Sequence, residues 1–177
     1  LDPIGCREMK DLILALARRG KTVILSSHLL ADVEDVCDRV VILYGGRIQA
    51  MGPLRELLAN WEKFLHDQED LDPLIRMAIA HYQFEAIHPF LDGNGRIGRL
   101  LVILLLIEWG LISQPLLYLS AFFEAHRLDY YDRLLAVSQR GEWESWLLYF
   151  LRGISSQSQD AIIRIERLGQ LRAAYRE

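Results

Sequence analysis

Near residue 60 the spacing of apolar residues changes from the runs typical of strands to the three- and four-residue spacing of helices, which limits the chain to a mixed architecture. Upstream, TVILSS (22–27) and RVVILYGGRI (39–48) are β-branched runs on either side of a polar helical stretch. A helix over 3–19 is marked by Pro3 in its first turn and by Met9, Leu12, Ile13 and Leu16 at helical spacing. Such alternation predicts an α/β unit with parallel pairing, Gly45-Gly46 then turning the chain into a short return strand. Downstream, Ile75, Ala78, Ile79 and Tyr82 keep helical spacing, as do Trp143, Trp146, Leu147 and Phe150, whose stripe is read as core. Asp72-Pro73 reads as a cap with proline in the first turn, and Gly110 and Gly141 stand where helices end or begin. The fold class expected is α+β overall: an N-terminal α/β fragment over 1–58, followed over 59–177 by an all-α helical bundle.

The chain has 177 residues, 51% of them apolar, enough to bury a core in one domain or two small ones. Its formal charge of -4 argues against a nucleic-acid partner. The longest apolar run, LLVILLLI (100–107), is far short of the roughly 20 residues of a membrane span, so it is read as a buried helix and no membrane insertion is expected. Cys6 and Cys37 lack metal or redox spacing and no signal peptide is visible, so both are read as small core residues in a reducing cytoplasm. The acidic run HDQEDLD (66–72) has no compact ligand spacing and is assigned to a solvated loop.

Two glycine motifs invite a phosphate reading. ARRGKT (17–22) ends like a phosphate loop but has Ala15 where the first glycine belongs, and it leaves a helix for a strand, the reverse of what such a loop needs. In HPFLDGNGRIGR (88–99), GNGRIG fits G-x-G-x-x-G, yet a helical stretch precedes it where a dinucleotide site needs a strand. Its residues suit other chemistry. Gly93, Asn94 and Gly95 before a long helix allow backbone N–H groups to converge on an anion. Arg96 and Arg99 share a helix face and can hold neighbouring phosphates. Asp92 is placed to hold Mg²⁺ on phosphate oxygens, and His88 carries an imidazole, the usual general base near neutral pH.

LDPIGCREM and TVILSSHLLADVEDVCDRVVILYGGRI, within residues 1–58, resemble the end of an ABC-transporter ATP-binding domain. That resemblance implies that the LDP turn joins a dimer interface and that His28 is a switch histidine on the γ-phosphate. Without the phosphate loop, signature motif and acidic strand of that family, ATP hydrolysis of its kind is not expected.

HPFLDGNGRIGR, with HYQFEAIHPF, LLYLS, YYDRLL and WESWLLYFL around it, resembles the Fic family over about 61–170. The resemblance implies a helical bundle and a protein adenylyltransferase, which moves AMP from ATP to a serine, threonine or tyrosine hydroxyl of a protein and releases pyrophosphate. It implies His88 as general base, Asp92 on Mg²⁺, the Gly93-Asn94-Gly95 turn on phosphate with Asn94 steadying the α-phosphate, and Arg96 and Arg99 on the β- and γ-phosphates. Phe90 is read as an inward anchor that turns His88 outward. His81 is read as structural, while Tyr130 and Tyr131 are open between base pocket and core. The family's hairpin flap, which clamps the target as an added strand, has no evident counterpart unless RVVILYGGRI imitates it. Its inhibitory pattern [ST]-x-x-x-E-[GN] is matched only in part by Ser120 to Glu124, so no built-in brake is expected, though a separate inhibitory partner could act. The alternatives are a catalytically idle nucleotide-binding fragment and an ABC-type remnant acting as an interaction piece.

Overall fold

The computed structural model describes residues 3–25, 36–44, 47–67, 70–90 and 93–175. Helix α1 spans Pro3–Arg18, and a two-stranded sheet follows, β1 Val40–Tyr44 against β2 Arg47–Gly52. The pairing is antiparallel, Val40 opposite Gly52 and Tyr44 opposite Arg47, with a bulge between Ile42 and Leu43. The return strand after the glycine pair is therefore present, but the parallel α/β unit is not formed among the described residues. Residues 21–25 are not a strand, and Ile24 is 93% exposed. A strand persists only where a neighbour takes its backbone hydrogen bonds.

Six helices follow: α2 Leu54–Asp67, α3 Pro73–Ile87, α4 Asn94–Glu108, α5 Leu119–Ala125, α6 Arg127–Arg140 and α7 Trp143–Ala174. Their boundaries have local causes. Asp72 caps α3, accepting from the N–H groups of Leu74 and Ile75, with Pro73 in the first turn where its missing N–H does no harm. Gly141 ends α6 in the left-handed region at φ 69°, a conformation open to glycine without a Cβ penalty.

Helix α3 is the central element, packed on α2, α4 and α7. Met77, Ala78 and Ala80 are fully buried, and the two alanines let bulky partners approach the helix backbone. The Trp146 indole N–H on α7 donates to the Ala78 carbonyl at 2.9 Å, and that of Trp61 on α2 donates to Ala80 at the same distance. Two indoles thus fasten α2 and α7 to the same turn of α3, their N–H groups satisfied as burial requires. Trp146, Phe123, Phe150, Val102 and Leu106 complete the core.

Two expectations need correction. The 100–107 run is not wholly buried: α4 sinks Val102 and Leu106 while Leu100 and Leu104 stay exposed, because only one face of a helix meets a neighbour in a two-layer bundle. Trp143 likewise lies at the edge of the core, 37% exposed and edge-on to Tyr82 at 4.9 Å. No described helix is long and apolar enough to cross a membrane.

Candidate active site

The turn between α3 and α4 begins at His88. Its backbone is left-handed, φ 51° and ψ 55°, while its N–H still donates to the Phe84 carbonyl at 2.9 Å. It is the one non-glycine residue at positive φ among those described, an arrangement that costs about 1 kcal/mol or more. Pro89, buried, cannot extend the helix, so the chain turns and leaves the His88 side chain exposed at the mouth of a cleft.

Asn94 holds the turn shut. Its side chain is 2% exposed; Oδ1 accepts from the Phe90 N–H at 2.8 Å, and Nδ2 donates to the Phe90 carbonyl. The amide thus pairs with both backbone groups of Phe90, which ties the start of α4 to the end of the HPF segment. Phe90 itself does not pack inward as expected: its ring is 45% exposed and 6.2 Å from that of Phe84. The anchor is the Asn94 side chain on the Phe90 backbone.

Helix α4 then starts with Gly93 as N-cap, at φ 84°, a residue with no side chain of its own to cap the first turn. The positive end of the helix thereby opens onto the cleft, a setting suited to an anion. A Cβ on Gly93 would stand 3.3 Å from Arg96 Nη2, and one on Gly95 would stand 3.1 Å from Arg99 Nη1. Both guanidiniums therefore lie over bare glycine backbone. The cleft, about 320 Å³, is lined by His88, Gly93, Asn94, Gly95, Arg96 and Arg99 from the motif, and by Phe123, Glu124, Arg127, Tyr130 and Tyr131 from α5 and α6. Asp92 lies outside the described residues, as does His28 of the upstream segment.

Residues 24–106 match the Fic/DOC family. The Fic match includes the whole of HPFLDGNGRIGR. A protein adenylyltransferase, fic-1, of Caenorhabditis briggsae is 40% identical over 76 residues, 41% of this chain and 15% of that protein. An uncharacterised ABC transporter ATP-binding protein of Synechocystis is 45% identical over 64 residues, 36% of this chain and 18% of that one. The chain thus spans less than a fifth of the length of either relative. In fold it is similar to a Fic family protein from Desulfovibrio desulfuricans G20, with a TM-score of 0.59 at 22% identity, over 91% of this chain and 63% of that one.

Behind the Fic motif lies a buried polar group that the sequence reading left mostly unassigned. His81 on α3 is 3% exposed, stacked on Trp146 at 7° between planes, and burial lowers its pKa to about 4. It is therefore neutral. Nδ1, 3.1 Å from the Gly98 carbonyl, must carry the proton, since a carbonyl only accepts. Nε2, 2.9 Å from the Tyr130 hydroxyl, then accepts from it. This is the structural role expected of His81. Tyr130, 2% exposed, belongs both to the core and to the cleft wall, whereas Tyr131 is 53% exposed.

Glu85, one turn beyond His81, is the residue that sequence reasoning missed, although two ionisable residues at i and i+4 on a mostly apolar helix were the available signal. Burial raises its pKa to about 7, against the opposing pull of the Arg99 charge. Gly98 explains the last glycine of GNGRIG: a Cβ there would overlap Glu85 Oε1 and stand 3.2 Å from both His81 and Phe84. That glycine serves close packing of α4 on α3. Glu124, in the partial match to an inhibitory pattern, pairs with Arg127 at 3.9 Å on the exposed rim.

Proposed function

We propose that the chain acts as a protein adenylyltransferase, taking AMP from ATP and placing it on a serine, threonine or tyrosine hydroxyl of another protein. The observation that carries this reading is the grouping, in one cleft, of the exposed His88 imidazole, the glycine-flanked first turn of α4 and the guanidiniums of Arg96 and Arg99. These serve respectively to remove a proton, to bind phosphate through backbone N–H groups, and to neutralise a polyphosphate leaving group. The target hydroxyl oxygen attacks the α-phosphorus and its proton passes to a ring nitrogen of His88. The bond from the α-phosphorus to the oxygen bridging to the β-phosphorus breaks, and pyrophosphate departs on Arg96 and Arg99. Positioning and charge neutralisation are the main demands of such a transfer.

Mg²⁺ would arrive with the nucleotide, since it commonly takes one or two carboxylates plus phosphate oxygens, and Asp92 would be the carboxylate. When bound, the ion would offset charge on the phosphates. Asn94 supports the site from behind by fixing the turn. One residue separates the hairpin β1–β2 from α2, and among the described residues both strands are edges, to which an extended target segment would add as a further strand.

The test is incorporation of α-labelled against γ-labelled ATP into protein, with Mg²⁺, for the native chain and for His88→Ala. Transfer of the α-label alone, lost in the variant, supports the reading. Mg²⁺-dependent ATP binding without transfer would instead favour an idle nucleotide-binding fragment.

A further inference from the structure

The gap beneath the first turns of α4 is occupied from both sides. A Cβ on Gly95 would stand 3.1 Å from Arg99 Nη1 and 3.9 Å from Glu85 Oε1, so guanidinium and carboxyl flank the same bare backbone. Glu85 Oε1 and Arg99 Nε are both sealed from solvent with no hydrogen-bond partner. Leaving such groups unmatched costs about 1–3 kcal/mol each, so an arrangement that keeps both needs a reason.

Hydrogen-bond direction supplies one. His81, neutral, gives its Nδ1 proton to Gly98 and takes the Tyr130 hydroxyl proton on Nε2. The Tyr130 oxygen then has only lone pairs left to offer, so it can pair with the Glu85 carboxyl only by accepting the acid O–H. Burial, which raises the Glu85 pKa to about 7, favours that protonated form below neutral pH. The carboxyl is thereby tied through two ring side chains to the backbone of α4 itself. In that form it constrains the guanidinium of Arg99 by packing and polarity without claiming its charge, which stays available to an anion in the cleft.

We propose that Glu85 is a positioning residue for Arg99: its carboxyl, fixed behind α4 by Tyr130 and His81, holds the guanidinium over Gly95 at the floor of the cleft. The effect on phosphate binding rests on the adenylyltransferase reading above; the orientation of Arg99 does not.

The experiment observes the Arg99 side-chain Nε–H resonance in the ¹⁵N-labelled full chain, assigned by its loss in Arg99→Lys. In Glu85→Ala it should move to the position of solvent-exposed arginines and exchange with water at least about tenfold faster, as expected of an opened local structure. In Glu85→Gln at pH 6, where the amide keeps a donor for Tyr130, it should stay in place. An unmoved resonance in Glu85→Ala, or equal loss in Gln and Ala, overturns the proposal. Should Glu85→Ala fail to fold, Tyr130→Phe removes the anchoring hydroxyl with the ring kept, and an unmoved resonance there overturns it equally.

Inorganic tripolyphosphate is the second probe. Arg99→Ala and Glu85→Ala should each weaken its binding about tenfold, and the double variant should be little worse than either, the mark of residues acting as one. Additive losses would contradict the proposal. If the native chain binds no tripolyphosphate while the resonance behaves as expected, the proposed function fails and the positioning role stands.

Discussion

The helical bundle and the segment ahead of it use apolar residues at similar density and with opposite results. Where α3, α4 and the first half of α7 meet, apolar faces cover one another and Met77, Trp146 and Phe150 are fully buried, although Ile163 and Leu168 farther along α7 stay exposed. In the upstream segment, Ile13 is buried but Met9 and Leu12 beside it are about half exposed, Val23 and Leu25 are partly exposed and Ile24 is almost wholly so. Periodicity specifies which face of an element is to be covered; it does not supply the cover. The contrast implies that the bundle sets the stability of the chain and that the upstream segment contributes little to it.

The largest effect that would sharpen this contrast is Trp146→Ala. Removing a fully buried indole and its bond to Ala78 should destabilise the chain by about 3–5 kcal/mol in urea unfolding. A loss under 1 kcal/mol would mean that α3 and α7 are not packed as described.

Next is the dependence of the bundle on pH. Glu85 holds its proton up to about pH 7 when folded and releases it near 4.5 when unfolded, so its contribution is lost as pH rises through that window. His81, with its pKa lowered from 6.5 to about 4, acts in the opposite sense and removes stability as pH falls through its own window. The two oppose each other between about 4.5 and 6.5. Glu85→Gln removes one of them, and its stability relative to the native chain should rise by about 2–3 kcal/mol from pH 5 to pH 8, at 1.36 kcal/mol per pKa unit. A pH-independent difference would show that Glu85 is ionised throughout.

Two glycines of α7 divide the helix between packed and open regions. A Cβ at Gly153 would come within 2.7 Å of Phe122, so Gly153→Ala should destabilise by about 1–3 kcal/mol despite better helix propensity. Gly169 has nothing within 4 Å, and Gly169→Ala should stabilise by about 0.5–1 kcal/mol. Equal signs in thermal melts would deny the difference. The smallest effect is Ile24→Ala in the upstream segment, expected within about 0.5 kcal/mol of the native chain. A loss of 2 kcal/mol or more would show that this segment is covered and that the two regions are not so unlike.

What the sequence made legible follows the same division. The cleft residues from His88 to Arg99 fall within one turn and one helix start, where spacing along the chain fixes position in space. The Asp72-Pro73 start of α3 and the Gly141 end of α6 were readable for the same reason: capping is local chemistry. The group behind the motif was not readable, since Tyr130 meets His81 across 49 residues and only packing brings them together. The exposure of Phe90 was hidden too, because the expectation gave the ring a task that the Asn94 amide performs. The parallel unit is not confirmed: β-branched composition marks a preference, residues 22–25 pair with no strand among the described residues, and 26–35 lie outside them.

Two stretches of the chain resemble nucleotide-binding families, and the central claim is that the nucleotide is bound by the second. Titration of the ¹⁵N-labelled chain with Mg²⁺ and ATP, followed by backbone amide shifts, separates them most directly. Shifts gathered on Gly93, Gly95, Arg96 and Arg99, with the residues before 25 unmoved, are the expected result. Shifts confined to the upstream segment, or none at the start of α4, would contradict it.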